Sequence, residues 1–224
     1  QAPQLVIGAD RKALDTAKGV EKKLDGARRF TARVARDGGN LLVSYDVTVP
    51  NDLISAAADP LLLFKGGNCL DIQLATDPTA DPKRTTAVPG DLRLLVTRQN
   101  DKSLAVLYRT KVAGFTGSPT VLKSPTGTES FDEIRVVDQV GLTYSRNGNG
   151  FTALVTIPLD QIGWKPVPGQ VITMDLGYLY GNATGTQVAA RSYVFNNSFS
   201  ANVVNDVPHE SRLEPANWGS ATVE

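Results

Sequence analysis

Apolar and polar residues alternate with a period of two along much of this 224-residue chain. Between positions 40 and 49, Leu41, Val43, Tyr45, Val47 and Val49 fall on one side, and Ser44, Asp46 and Thr48 on the other. The same pattern sets Phe30, Ala32 and Val34 against Arg29, Thr31 and Arg33. It recurs in Leu92/Leu94/Val96 and Leu104/Val106/Tyr108, and is cleanest where Phe151, Ala153, Val155 and Ile157 oppose Thr152 and Thr156. Successive side chains of a strand point to opposite faces, so segments of this kind read as antiparallel strands with one face solvated. Asp37-Gly38-Gly39-Asn40, Asn100-Asp101-Lys102 and Asn147-Gly148-Asn149-Gly150 join them with residues that tolerate positive φ. About a dozen short strands with polar turns predict an all-β fold, an antiparallel β-sandwich of the jelly-roll or immunoglobulin-like two-sheet kind. Helix is expected only in short pieces, at 10–18, at 51–58 and as one turn over Pro158–Ile162, where proline suits the first position. The run Asp77-Pro78-Thr79-Ala80-Asp81-Pro82 reads as a polar loop. No repeat or linker divides the chain, which predicts a single domain over 1–224, with 1–25 as a peripheral lead-in.

A domain of this length buries roughly 70% of its unfolded surface and needs no disulfide or metal to fold. The single cysteine, Cys69, excludes an intramolecular disulfide and lies in an apolar run, as a small buried hydrophobe would. Lys and Arg total 23 and Asp and Glu total 23, so there is no net charge and no basic stripe for a nucleic acid. No stretch approaches the ~20 apolar residues of a membrane span. The opening QAPQLVIGAD lacks the charged and apolar segments of a signal peptide, as expected of a mature protein or an excised domain.

Catalytic motifs are missing. With His209 the sole histidine, two-histidine metal motifs are impossible, and neither a G-x-S-x-G elbow nor a phosphate-binding loop occurs. A Ser-His-Asp triad would have to use His209, in a loop-like stretch with no nucleophile context. Sandwich glycosidases can place acids at alternate positions of one strand, all aimed into a cleft. The comparable strand here offers Asp71, Gln73 and Ala75, of which only the first is acidic. The chain therefore reads as a non-enzyme.

Four segments, taken in order, resemble the family 9 carbohydrate-binding modules. LLVSYDVTV (41–49) is similar to a core strand followed by a polar loop, and NCLDIQLATDP (68–78) to an acid-bearing strand closing in Asp-Pro. GFTALVTIPLDQIGWKPVPG (150–169) carries the most specific likeness: a strand ending in Ile-Pro, a helical turn ending in Gly, then Pro-Gly opening the next strand. WGSATVE (218–224) resembles the closing strand. The likeness spans roughly 28–224. It implies a β-sandwich, non-catalytic, bound to poly- or oligosaccharide, and carried as a monomeric domain of a larger secreted, periplasmic or cell-surface protein of the bacterial polysaccharide-degrading kind. It also implies a structural Ca²⁺, for which the Asp/Asn-rich loops are available.

Family members clamp a terminal sugar between two tryptophans. By position the first ring here is Phe64, with Asp71 as the hydrogen-bonding acid and Trp218 beside Asn217 as a stacking rim, while core packing is the competing reading for both rings. Arg93, Arg98 and Arg109 lie on strands from which they would reach sugar hydroxyls or carboxylates, unless they simply line a solvated face. Tyr178 with Tyr180, and Tyr193 with Phe195, would form aromatic rows on a strand face. The expected ligand set is Phe64, Asp71, Arg93, Arg98, Tyr180, Asn217 and Trp218. Trp164 reads as an end plug of the sandwich. Two alternatives stay open: a structural or protein-interaction sandwich that has lost its sugar site, and a haem-binding electron carrier using Met174 and His209.

Overall fold

A computed structural model describes residues 4–224; residues 1–3 of the expected lead-in lie outside the described residues. The strands are β1 (Leu5–Gly8), β2 (Val20–Lys23), β3 (Arg29–Asp37), β4 (Asn40–Thr48), β5 (Cys69–Ala75), β6 (Asp91–Gln99) and β7 (Lys102–Arg109). They continue as β8 (Thr120–Ser124), β9 (Gly127–Phe131), β10 (Glu133–Val136), β11 (Gly141–Asn147), β12 (Gly150–Pro158), β13 (Val171–Gly181), β14 (Val188–Tyr193) and β15 (Gly219–Val223). Two short helices, α1 (Ala13–Thr16) and α2 (Val207–Ser211), and a few 3-10 turns complete the chain.

The fold is all-β, as the alternation predicts. Thirteen strands form one curled sheet in the order β10-β7-β6-β5-β13-β15-β1-β3-β4-β12-β11, with β14 added to β13 and β2 to β3, while β8 and β9 make a separate hairpin. The expectation of two separate antiparallel sheets is thus modified at one place. Strand β1 pairs in parallel with both β15 and β3, and so stitches the two halves together. The halves face each other across the main core. Phe30, Val43, Val47, Phe151 and Val155 pack from one side, and Leu70, Ile72, Leu94, Met174 and Tyr178 from the other. Two contacts cross directly: the Phe151 and Tyr178 rings lie 6.0 Å apart, and the Tyr45 hydroxyl donates to the carbonyls of Asp71 and Gly177, each at 3.3 Å. Trp164 is buried in this core.

The expected helices are realised unevenly. The turn over Leu159–Ile162 forms and stops at Gly163, whose φ of +63° suits glycine. The 10–18 helix shrinks to Ala13–Thr16, because Ala17 is already extended. The 51–58 helix is absent. Its backbone bonds outward instead, Ser55 N–H to the Arg98 carbonyl at 2.9 Å and Ala56 N–H to the Gly185 carbonyl at 2.8 Å. The helical turn comes later, over Pro60–Lys65, where the Asp59 carboxylate accepts from Leu61 N–H and Pro60 opens the turn.

Candidate functional site

The expected ligand residues converge, but under a cover. Strand β5 is buried on both faces: Leu70, Ile72 and Leu74 enter the main core, while Cys69, Asp71, Gln73 and Ala75 point the other way. That second face is overlaid by the 60–65 turn, by α2 and by the Leu213–Trp218 stretch, which form a smaller core with Leu95, Val106, Tyr108 and Phe131. Within it lies a polar network. Arg93 donates to Asp71 through Nη2 (2.7 Å) and Nε (3.1 Å), and the Tyr193 hydroxyl donates to Asp71 Oδ2 at 2.8 Å. Gln73 Nε2 donates to Asp71 Oδ1 at 3.2 Å, and its own Oε1 accepts from Trp218 Nε1 at 2.9 Å. Register brings these residues together, because Gln73 sits opposite Arg93 on β6.

The cover is clamped from below. Arg93 Nη1 donates to the Glu210 carbonyl at 2.7 Å, and Arg191 donates to the carbonyls of Ala201 (3.0 Å), Asn202 (2.9 Å) and Ser200. Lys65 meets the buried Glu210 carboxylate at 2.6 Å. Asp206 caps α2 by accepting from His209 N–H, and also accepts from the Thr126 hydroxyl on the β8–β9 hairpin at 2.8 Å. What opening remains beside Gln73, Arg93 and Tyr193 has a volume of about 10 Å³, on the order of a single water.

The sequence expectations are corrected accordingly. Phe64 and Trp218 share the small core and do not face each other across a cleft. Phe64, 2% exposed, packs edge-on to Tyr108 with centroids 5.9 Å apart. Trp218 is 7% exposed, with Arg84 over its ring. Asp71 and Arg93 are buried and consumed by each other, and Tyr180 packs inward against Tyr178. Arg98 lies away from this group, stacked on Tyr144 at 4.2 Å and paired with Asp101 at 2.9 Å. Half-buried Asn217 donates to Glu214 at 3.4 Å, and Arg109 pairs with Glu133. Tyr193 faces the network, whereas Phe195 lies over Gly219, so the two do not form an aromatic row.

Met174 sits in the main core while α2, which carries His209, lies on the opposite face of the same half-sheet, so the two cannot flank one haem. Among the described residues no three His, Cys, Asp or Glu side chains cluster to hold a metal ion. The 77–82 loop carboxylates serve their own turns, Asp77 accepting from Thr79 N–H and Asp81 from Lys83 N–H, each at 2.9 Å. Burial pushes the Cys69 thiol up to about 12, which removes it as a nucleophile.

A second region is open. On the outer face of β3, β4, β12 and β11 lies a groove of about 340 Å³, within the roughly 300–1,000 Å³ usual for ligand sites. Cross-strand register builds its floor in two rows: Arg33–Ser44–Leu154–Thr143, and beside it Asp46–Thr152–Ser145. Each row is one residue deep per strand, because the intervening residues (Val43, Tyr45, Ala153, Val155) turn into the core. One wall is α1, contributing Leu14 and Asp15 with Arg11 just before it. Its end is tied down by Arg33 Nε, which donates to the Ala17 carbonyl at 2.9 Å. Among the described residues none hydrogen-bonds the side chains of Ser44, Asp46, Thr143, Ser145 or Thr152, so their polar groups are available. In the sequence, Ser44, Asp46 and Thr152 fall on the solvated half of the alternation, while Thr143 and Ser145 carry no such mark. Nothing in the local pattern marks which solvated face receives a wall.

No family model matches the chain, and no curated protein matches it either. Solved structures share its fold. A family 9 carbohydrate-binding module from Caldicellulosiruptor kristjanssonii in complex with glucose is 13% identical with a TM-score of 0.60, covering 100% of this chain and 96% of that one. A family 9 module from the same organism in complex with cellotriose is 11% identical with a TM-score of 0.51, over 99% and 90% of the two chains. A candidate carbohydrate-binding protein from Bacteroides uniformis is 10% identical with a TM-score of 0.55, over 100% and 98%. The resemblance in sequence order is thus matched by a common fold over essentially the whole chain. The bound sugars are properties of those proteins.

Proposed function

We propose that this chain is a non-catalytic carbohydrate-binding module built on an antiparallel sandwich, and that it takes its ligand in the open groove of β3, β4, β12 and β11. The observation that carries this reading is the groove itself: a ligand-sized concavity floored by uncommitted hydroxyls and a carboxylate, on a scaffold shared with sugar-binding modules. Saccharides present many hydroxyls at short spacing, and a rigid strand array places matching donors and acceptors at about 4.8 Å intervals across neighbouring strands. Such a module fits an accessory role in a secreted, periplasmic or cell-surface protein that acts on polysaccharide. Fold likeness supports the class of function, and the open groove supports this choice of site.

Affinity electrophoresis through a panel of polysaccharides tests the reading directly. Retardation by at least one polysaccharide is expected, with no release of reducing sugar. A second reading, a sandwich that has become purely structural, draws support from the closed network around Asp71 and Trp218, and it predicts no retardation by any glycan.

A further inference from the structure

The groove holds no aromatic ring among its outward-facing residues. Tyr45 belongs to its floor strand but turns inward, and both tryptophans are buried elsewhere, Trp164 in the main core and Trp218 in the smaller one. The apolar element at the centre of the floor is instead Leu154, with Ser44 on one side and Thr143 on the other. The charges balance: Arg11 and Arg33 stand against Asp15 and Asp46. The cations are the more committed pair. Arg33 is partly spent on the Ala17 carbonyl, and Arg11 lies 4.0 Å from Asp37, whereas Asp15 and Asp46 are exposed and unpaired. The four charges cancel, and the unpaired Asp15 and Asp46 carboxylates would repel a polyanion entering the groove.

From this we infer that the groove selects a neutral, hydroxyl-rich glycan and holds it by hydrogen bonds from strand side chains instead of by ring stacking. This rests on the sugar-binding reading above and specifies the ligand class for the same site. Asp46 is the central acceptor, able to take two vicinal hydroxyls at once, since an ionised carboxylate offers two oxygens and several lone pairs. Thr152 and Ser145 extend that row, Ser44 and Thr143 provide the parallel row, and Leu154 lies under the C–H face of one sugar unit.

The experiment uses the whole chain and two readouts. Affinity electrophoresis compares neutral polymers (hydroxyethyl cellulose, galactomannan, xyloglucan) with polyuronates (polygalacturonate, alginate), and tryptophan emission is recorded on titration with any polymer that retards the protein. Retardation by a neutral polymer with unshifted emission is expected, along with at least a tenfold loss of affinity in Asp46→Ala and in Thr152→Ala. Trp218→Phe is expected to keep wild-type affinity. Circular dichroism of the variants checks that each is folded, and Ser145→Ala supplies a second, milder variant in the same row. If a polymer binds but shifts tryptophan emission and ignores the groove variants, the groove inference fails while sugar binding stands. Retention by polyuronates alone overturns the neutral-ligand assignment. Retention by nothing overturns both this inference and the reading it rests on.

Discussion

The two halves of the curled sheet are built from the same kind of strand, yet their outer faces have opposite fates. Outside β5 and β6, acid, amide and guanidinium side chains are sealed under the α2 segment and a tryptophan, each meeting a partner inside the protein. Outside β4 and β12, hydroxyls and a carboxylate in comparable rows meet only solvent. Similar residue types thus serve a structural role on one face and remain available for binding on the other. The difference lies in the cover and not in the residues, and residue type alone is a poor guide to a ligand site.

The sharpest way to break this comparison is to remove one member of the sealed network. Arg93→Leu strands the Asp71 carboxylate in a buried site, which should cost about 3–5 kcal/mol in denaturant unfolding, with the Asp71→Leu/Arg93→Leu pair recovering part of that loss. An unchanged midpoint in the single variant would mean that the cover opens to water.

Next in size is a pH effect confined to the sealed side. Asp175 on β13 accepts from the N–H groups of Leu176 (2.9 Å), Phe195 (3.0 Å) and Asn196 (2.9 Å), and so anchors the chain as it leaves β14. Burial pushes its carboxyl up to about 7, against the pull of those three donors, and Asp71 adds to the rise. Because the folded value exceeds the ordinary 3.8, the folded state keeps a proton that the unfolded chain releases. This contribution is complete below about pH 4, falls as pH climbs towards 7 and then levels off, a change on the order of a few kcal/mol. Unfolding midpoints at pH 5 and pH 8 should differ in the wild type and converge in Asp175→Asn. Equal slopes in the two proteins would contradict the assignment.

A smaller change probes the lid. Trp218→Phe keeps most of the packing but leaves Gln73 Oε1 without its donor, and should destabilise by about 1–2 kcal/mol. Thermal unfolding reports it. The smallest effect belongs to the open face: Asp46→Ala, an exposed change without internal partners, should alter stability by no more than about 0.5 kcal/mol while abolishing polysaccharide retention. Large destabilisation there would make Asp46 a structural residue and erase the contrast between the faces.

Much of the strand architecture could be read in advance, since the Phe151–Ile157 and Leu41–Val49 alternations reappear as β12 and β4 with their apolar sides in the core. Strand β5 also carried a readable hint: Cys69 and Ala75 on its supposedly polar side are apolar, which is what a strand covered on both faces shows. The 51–58 segment was illegible because its backbone partners, Arg98 and Gly185, are remote in sequence. The sequence leaves the Phe64 and Trp218 rings open between core and sugar site, because the cover that buries them comes from separate parts of the chain.

By itself, then, the sequence determines where strands run, which residues of each strand share a side, and that the chain is all-β, because a period of two is a local property of neighbouring side chains. The tertiary structure alone decides which of the two outer faces is closed. Asp71 finds Arg93 22 residues away and Tyr193 122 away, and Gln73 finds Trp218 145 away, separations that no local pattern encodes. The open groove is decided in the same manner, since its floor exists only once four strands settle into register and α1 is drawn against them by the bond from Arg33.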